Sequence, residues 1–63
     1  MSAKKLRVLY DFKAEEEGEV SVKAGDVLSL IDDSNADRDG WVLVELTHNG
    51  ASGFVPAGML ELW

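Results

Sequence analysis

The fold is decided by the stretch Val8-Leu9-Tyr10-Asp11-Phe12, which continues directly into the acidic segment Lys13–Glu19. Leu6, Val8 and Tyr10 occupy every second position, which predicts a strand with one buried face. Residues two apart in a strand share a face, so Tyr10 and Phe12 present their rings on the same side. The acidic segment adds four carboxylates beside them. We therefore predict a surface for a partner that is both flat-sided and basic.

Chain length and composition limit the possible classes. Sixty-three residues allow a single domain close to the smallest size at which an apolar core suffices. We expect residues 5–62 to form that domain and residues 1–4 to be an N-terminal tail or a cloning remnant. The absence of cysteine excludes disulfides and thiolate chemistry and fits a reducing compartment. No apolar run approaches the roughly 20 residues that a membrane-spanning helix needs.

The charge of the chain excludes two classes of partner. Twelve acidic residues oppose six basic ones, for a net charge of −6, and ten of the acids lie between Asp11 and Asp39. Nucleic acids and anionic bilayers are bound chiefly through Lys and Arg side chains that neutralise phosphates. We therefore expect neither nucleic-acid binding nor membrane insertion.

Residue periodicity predicts an all-β chain. Strand-like runs occupy residues 5–12, 27–31, 41–47, 52–55 and 60–62, and a shorter alternating segment occupies 20–22. Residues 32–40 are polar and predict a loop. Asn49-Gly50 predicts a type I′ hairpin turn, whose two central residues both need positive φ. Residues 56–59 predict a bend or one short 3-10 turn. Five short strands without helical periodicity predict a small barrel or sandwich.

The same alternation predicts which side chains form the core. We expect the core to contain Val8, Val20, Leu28, Leu30, Val44, Val55 and Leu60. Leu43 should face outward, where it either extends a binding surface or packs under a loop. Phe54 either packs beneath the binding surface or contacts a ligand. Trp63 either lies at a frayed end or caps the barrel.

Four motifs, in order and at suitable spacing, resemble the Src homology 3 (SH3) domain family over residues 5–62. They are Val8–Phe12 at the family's Ala-Leu-Tyr-Asp-Tyr position, Gly25-Asp26 at its diverging turn, Gly40-Trp41 at the third strand, and Gly53–Pro56 before its 3-10 turn. The resemblance implies a five-stranded barrel of two packed orthogonal sheets with a 3-10 turn near the C-terminus. It also implies a non-catalytic module, without cofactor or metal, that binds proline-rich segments.

The resemblance assigns a ligand groove and an acidic pocket. The groove residues would be Tyr10, Phe12, Trp41, Pro56 and Met59. A polyproline II ligand presents ridges and unpaired carbonyls, which suit flat aromatic walls with free donors. The acidic pocket, which would take an Arg or Lys of the peptide, would comprise Glu15, Glu16, Glu17, Glu19, Asp37 and Asp39. Among these we expect Glu16 and Glu19 to be the direct partners.

Three groove positions depart from the family pattern. Met59 replaces the usual Tyr of the 3-10 turn, Gly58 replaces Asn, and Phe12 lacks the hydroxyl of the second Tyr. Each change removes a hydrogen-bonding group, although Met still supplies adaptable apolar contact. We therefore expect a more apolar and less exacting groove. Alternatively, the domain binds an atypical partner surface, such as that of ubiquitin, in place of a proline-rich segment.

Several residues raise other possible functions. Tyr10, Phe12 and Trp41 could instead form an aromatic cage for methylated lysine. Residues 35–40 resemble half of a calcium loop, but position twelve falls on Leu46 instead of a glutamate. His48 lies at a predicted hairpin tip without a partner for catalysis, so we expect no enzyme. An architectural domain whose groove is filled by its own parent chain is a further alternative.

The resemblance also implies a cellular setting. Similar domains occur in intracellular adaptors of signalling, endocytosis or actin assembly. We therefore expect a monomeric domain of a larger cytoplasmic protein, acting at cortical actin or endocytic membranes through that parent.

Overall fold

The structure, a computed structural model, describes residues 4–63. It contains five strands, one helical turn and one 3-10 turn. These are β1 (Lys5–Val8), β2 (Val27–Asp32), α1 (Ala36–Asp39), β3 (Trp41–Leu46), β4 (Ser52–Pro56), the 3-10 turn (Ala57–Met59) and β5 (Leu60–Leu62). The predicted all-β fold with a 3-10 turn near the C-terminus is confirmed. Residues 1–3 of the predicted tail lie outside the described residues.

The order of the strands forces the sheet to close on itself. The strands pair antiparallel in the order β4-β3-β2-β1-β5, so β4 and β5 are the two edges. In a flat sheet these edges would lie about 19 Å apart. Only the three residues of the 3-10 turn join them, and such a turn advances about 2 Å per residue. The sheet therefore curls into a barrel, with β2 bent by an irregularity between Leu30 and Asp32.

The apolar faces of the strands meet inside the barrel. The fully buried side chains include four that the alternation predicted, Val8, Leu28, Val44 and Val55, and Leu6, Val22, Val42 and Leu46 complete the cluster. The other predicted members, Val20, Leu30 and Leu60, are half-buried against it. Trp63 has an exposed ring, but its backbone N–H donates to the Lys5 carbonyl at 3.0 Å and extends the β1–β5 ladder.

The predicted strand at 5–12 is wrong beyond Val8. The Val8 backbone bonds to Gly25 and Asp26, at 2.8 and 2.9 Å, and the chain then leaves the sheet. Phe12 rejoins it only through an isolated bridge to Val22, so the segment at 20–22 is not a strand either. Alternation along the chain continued without a break, and it gave no sign of where the pairing partner ends. This departure leaves Tyr10 outside the ladder.

The hairpin that joins β3 to β4 is confirmed, but its type I′ turn is wrong. Among the described residues only glycines have positive φ, so Asn49 does not, whereas Gly50 has a φ of 75°. The loop spans residues 47–50, closed by the Gly50 N–H on the Leu46 carbonyl at 2.9 Å. The Asn49 side chain accepts a bond from the Ala51 N–H at 2.9 Å. A loop of this length needs a single left-handed residue, which Gly50 supplies.

The polar loop predicted at 32–40 is partly ordered. β2 continues to Asp32, and Ala36–Asp39 form one helical turn. Gly40 ends that turn in the left-handed conformation, with a φ of 79° and its N–H on the Ala36 carbonyl. A single turn has too few residues to display helical periodicity, so the sequence pattern could not predict it.

Candidate functional site

Three predicted groove residues meet where β3 begins and β4 ends. Trp41 lies directly opposite Pro56 in the ladder. The Phe12 ring meets the Trp41 ring edge-on, with centroids 5.8 Å apart and planes at 71°. Such pairs contribute about 0.5–1.5 kcal/mol beyond simple area burial. The three side chains thus form an ordered apolar wall.

One backbone hydrogen bond joins the segment that carries Tyr10 to the segment that carries Met59. The Leu9 N–H donates to the Met59 carbonyl at 2.7 Å, which ties the segment that bears Tyr10 to the 3-10 turn. The Tyr10 side chain is 63% exposed, and Met59 is half-buried. Trp41 is half-buried rather than enclosed. Across residues 4–63, neither the Tyr10 hydroxyl nor the Trp41 indole N–H makes a hydrogen bond, so both are free to donate.

Glu19 organises the acidic loop that follows Phe12. Its Oε1 atom accepts hydrogen bonds from the backbone N–H groups of Glu15, at 2.9 Å, and Glu16, at 3.3 Å. Glu19 is half-buried, whereas Glu15, Glu16 and Glu17 are exposed. One oxygen of Glu19 is therefore committed to the shape of the loop. Within residues 4–63 the three exposed carboxylates and the remaining Glu19 oxygen accept no hydrogen bond.

Gly53 allows this loop to lie against β4, a role that the sequence pattern did not single out. The Phe54 N–H donates to the Gly18 carbonyl at 2.8 Å, and the Val20 N–H donates to the Phe54 carbonyl at 3.2 Å. A Cβ on Gly53 would lie 2.9 Å from both the Gly18 oxygen and the Val20 Cβ. A glycine inside a strand is the signal that could have identified it, because it marks close backbone approach.

A second acidic segment adjoins Trp41 from the other side. The Asp39 Oδ1 atom accepts a bond from the Trp41 backbone N–H at 3.0 Å, and Asp37 is exposed on α1. The Ala57 N–H donates to the Gly40 carbonyl at 2.7 Å and ties this segment to the 3-10 turn. The face that bears Trp41 is therefore flanked by carboxylates on both sides.

Comparison with known proteins agrees with this geometry. The family model for the SH3 domain matches residues 7–57. The chain belongs to the SH3 domain family. Members of this family are protein-interaction modules.

Curated relatives of this SH3 domain are much longer proteins. It is 43% identical over 60 residues to proline-serine-threonine phosphatase-interacting protein 1 of Mus musculus, covering 95% of this chain and 13% of that protein. It is also 43% identical over 60 residues to the actin cytoskeleton-regulatory complex protein SLA1 of Vanderwaltozyma polyspora, covering 95% of this chain and 5% of that protein.

A solved structure supports the same assignment. The C-terminal SH3 domain of myosin IB from Entamoeba histolytica, bound to an EhFP10(GEF) peptide, superposes with a TM-score of 0.85 at 25% identity. The match covers 100% of this chain and 97% of that one.

The candidate groove of the SH3 domain is open at Tyr10, whose side chain is 63% exposed. Two depressions, of about 240 and 570 Å³, lie elsewhere, and neither is lined by Tyr10, Trp41 or Pro56. Phe12 contributes to the larger one, on the side of the domain that carries His48. An open surface suits an extended ligand better than a compact small molecule, which needs a concave pocket.

No metal cluster or membrane span is found within the described residues. The side chains of residues 4–63 include no group of three or more His, Asp or Glu placed to hold a metal ion. None of the helices described is long and apolar enough to cross a bilayer.

Proposed function

We propose that this SH3 domain binds proline-rich segments that carry Arg or Lys. The ligand would lie on the groove formed by Tyr10, Phe12, Trp41, Pro56 and Met59. The observation that carries the proposal is the wall of Phe12, Trp41 and Pro56, which lies beside two carboxylate-rich segments. A polyproline II ligand has little conformational entropy left to lose, so shallow aromatic contacts suffice to hold it.

The two unbonded donors give this groove its polar contacts. A polyproline II chain has no internal hydrogen bonds, so its carbonyls need partners. The Trp41 indole N–H and the Tyr10 hydroxyl supply them. The peptide bound to the myosin IB SH3 domain supports a peptide ligand for a domain of the same family.

The acidic segments would select the basic residue of the ligand. The candidate carboxylates are Glu15, Glu16, Glu17, Glu19, Asp37 and Asp39. Within residues 4–63 the one salt bridge joins Arg7 to Glu61, so none of these carboxylates has an internal cation. An exposed ion pair contributes at most about 1 kcal/mol. Several charges within a Debye length of about 8 Å steer the ligand and set its orientation.

Met59 and Gly58 would broaden the accepted sequences. The usual Tyr and Asn hold ligand carbonyls, whereas Met59 offers only apolar contact and Gly58 has no side chain. The groove would then discriminate by shape and charge more than by donated hydrogen bonds, which favours an atypical proline-rich motif.

The domain would act as a non-catalytic, monomeric, cofactor-free part of a larger protein. Its charge of −6 opposes nucleic acid. The name of the SLA1 relative supports an adaptor at the actin cytoskeleton. We infer a cytoplasmic setting at cortical actin or endocytic membranes, reached through the parent chain.

Titration of the isotopically labelled domain tests this function. A synthetic proline-rich peptide with one terminal Arg should shift the Trp41 indole N–H resonance, while the Trp63 indole N–H, on an exposed ring, should not move. The same peptide with Ala in place of Pro is the control. A Trp41 resonance that responds only to a trimethyl-lysine peptide would favour the aromatic cage. A response only to ubiquitin would favour the atypical surface, and either result would refute the proline-rich ligand.

A further inference from the structure

The larger of the two depressions lies beside the hairpin loop, and none of Tyr10, Trp41 and Pro56 lines it. Its volume is about 570 Å³, within the range of about 300–1,000 Å³ that is typical of ligand clefts. Residues from the segments 11–13, 21–26 and 46–49 surround it. The depression is therefore large enough to admit a whole side chain of a partner.

The floor of this depression is apolar. Val22 and Leu46 line it with side chains that are only 3% and 5% exposed, and the half-buried Phe12 adds a ring. Phe12 and Val22 lie opposite each other in an isolated bridge, and each backbone N–H donates to the other's carbonyl at 2.9 Å. A large apolar side chain placed on this floor would be removed from water, which favours binding.

Two carboxylates beside the floor each use one oxygen to hold the turn at residues 23–26. The Asp11 Oδ1 atom accepts a hydrogen bond from the Ala24 N–H at 2.8 Å. The Asp26 Oδ2 atom accepts one from the Lys23 backbone N–H at 3.0 Å. The turn is therefore ordered before a partner arrives, and a preorganised site loses less freedom on binding.

Lys13 and Lys23 bring two free cations to the rim. Both side chains line the depression and both residues are exposed. Within residues 4–63 neither ammonium group makes a hydrogen bond or a salt bridge. The exposed imidazole of His48 adds a further hydrogen-bonding group at the rim. A lysine can lay its methylene stem along an apolar surface while its ammonium stays at the water boundary.

Acidic and basic side chains are balanced at this depression, unlike in the chain as a whole. The chain has twelve acidic and six basic residues, and two of each line the depression. The rest of the chain therefore carries ten acids and four bases. A negatively charged partner is repelled less here than at the aromatic groove, which carboxylates flank on both sides.

We propose that this depression binds an acidic segment of a partner protein. A large apolar side chain of that segment lies on the floor, and carboxylates on either side of it accept charge-assisted hydrogen bonds from Lys13 and Lys23. An anionic bilayer fits less well, because a flat headgroup surface does not reach a recessed floor and the other carboxylates of the domain repel it. The domain would then hold a basic partner in the groove and an acidic one here.

NMR titration of the isotopically labelled domain with synthetic peptides tests this site. The first peptide is Gly-Glu-Glu-Leu-Glu-Glu-Gly, and it should shift the backbone N–H resonances of Lys23, His48 and Asn49 in a saturable manner. A second peptide with Gln in place of every Glu should bind at least about threefold more weakly, because it lacks the charges. A third with Gly in place of Leu should bind about tenfold more weakly, because it leaves the floor uncovered.

A charge-matched pair of variants locates the binding site. Lys13→Gln combined with Lys23→Gln should weaken the acidic peptide by about threefold to thirtyfold, the range expected for the loss of two exposed charge pairs. Lys4→Gln combined with Lys5→Gln removes the same charge at the start of β1, away from the depression, and should change the affinity less than about twofold. An equal loss in both double variants would refute the site, because it would show that only the overall charge matters.

Two further results would overturn the proposal. One is the absence of saturable shifts at Lys23, His48 and Asn49 with the acidic peptide, including the case in which only the Trp41 indole N–H resonance moves. The other is a response of the three backbone resonances to vesicles of phosphatidylcholine and phosphatidylserine but not to the peptide, which would assign the depression to a lipid surface. Neither result bears on the proline-rich ligand, which is tested separately with an Arg-bearing peptide.

Discussion

A Cβ atom on Gly53 would lie 2.9 Å from the carbonyl oxygen of Gly18, closer than real Cβ contacts allow. The loop that carries Glu15–Glu19 therefore rests on β4 only because residue 53 has no side chain. The backbone bonds that Phe54 makes to Gly18 and Val20 hold it there. This contact fixes the acidic loop relative to β4, and with it the distance between the aromatic wall and the carboxylates that we propose select a basic ligand.

Gly53→Ala should destabilise the domain, and it should weaken the binding of basic peptides more than the binding of neutral ones. The new methyl group meets backbone, which cannot move aside cheaply, so unfolding should become easier by about 1–3 kcal/mol. Chemical denaturation measures that loss. Gly58→Ala is the matched control, because its Cβ would meet nothing within 4 Å, and its stability should change by no more than about 0.5 kcal/mol. Equal effects of the two substitutions would contradict the role given to Gly53.

A double variant with Glu16→Gln and Glu19→Gln should bind Arg-bearing peptides more weakly. The dependence of its affinity on salt concentration should also be flatter. Glutamine at residue 19 still offers an oxygen to the N–H groups of Glu15 and Glu16, so the loop keeps its shape while two charges are removed. Calorimetry across a range of salt concentrations measures the slope. Glu61→Gln, on β5 beside Arg7, is a control that should leave the slope unchanged. An unchanged slope in the double variant would remove these carboxylates from ligand recognition.

Met59→Tyr should tighten ordinary proline-rich peptides by roughly threefold to tenfold, since a restored hydroxyl adds one hydrogen bond worth about 0.5–1.5 kcal/mol. Met59→Phe supplies a ring without the hydroxyl and should give little of that gain. Binding isotherms for both variants separate the donor from the ring. Weaker binding by the tyrosine variant would show that the groove is tuned to a different kind of ligand.

Most of the fold was predictable because, in a strand with one buried face, every second side chain is buried. That period located β2, β3 and β4 and four of the most buried side chains. It failed after Val8, because the end of a strand depends on where its partner leaves, and alternation within one chain carries no record of the partner. It also failed at Asn49, since the loop length and not the dipeptide decided which residue takes positive φ.

The residues of the candidate site could be predicted from their types and motifs. Their arrangement in space could not. The rings at residues 10, 12 and 41 were identified from the motif, but their mutual arrangement depends on pairing across the barrel. Glu19 was expected to meet the ligand directly, and the sequence could not reveal that one of its oxygens closes the loop. Gly53 acts through the space it leaves empty, which becomes visible only when the loop is placed against β4.

Calorimetric titration of an Arg-bearing proline-rich peptide into the native domain, Trp41→Ala and Trp63→Ala tests the central claim most directly. Both substitutions remove an indole, but Trp41 faces Pro56 and Phe12, whereas Trp63 is 70% exposed at the end of β5. The account predicts that Trp41→Ala remains folded and loses binding, while Trp63→Ala binds like the native domain. Retained affinity in folded Trp41→Ala would contradict it.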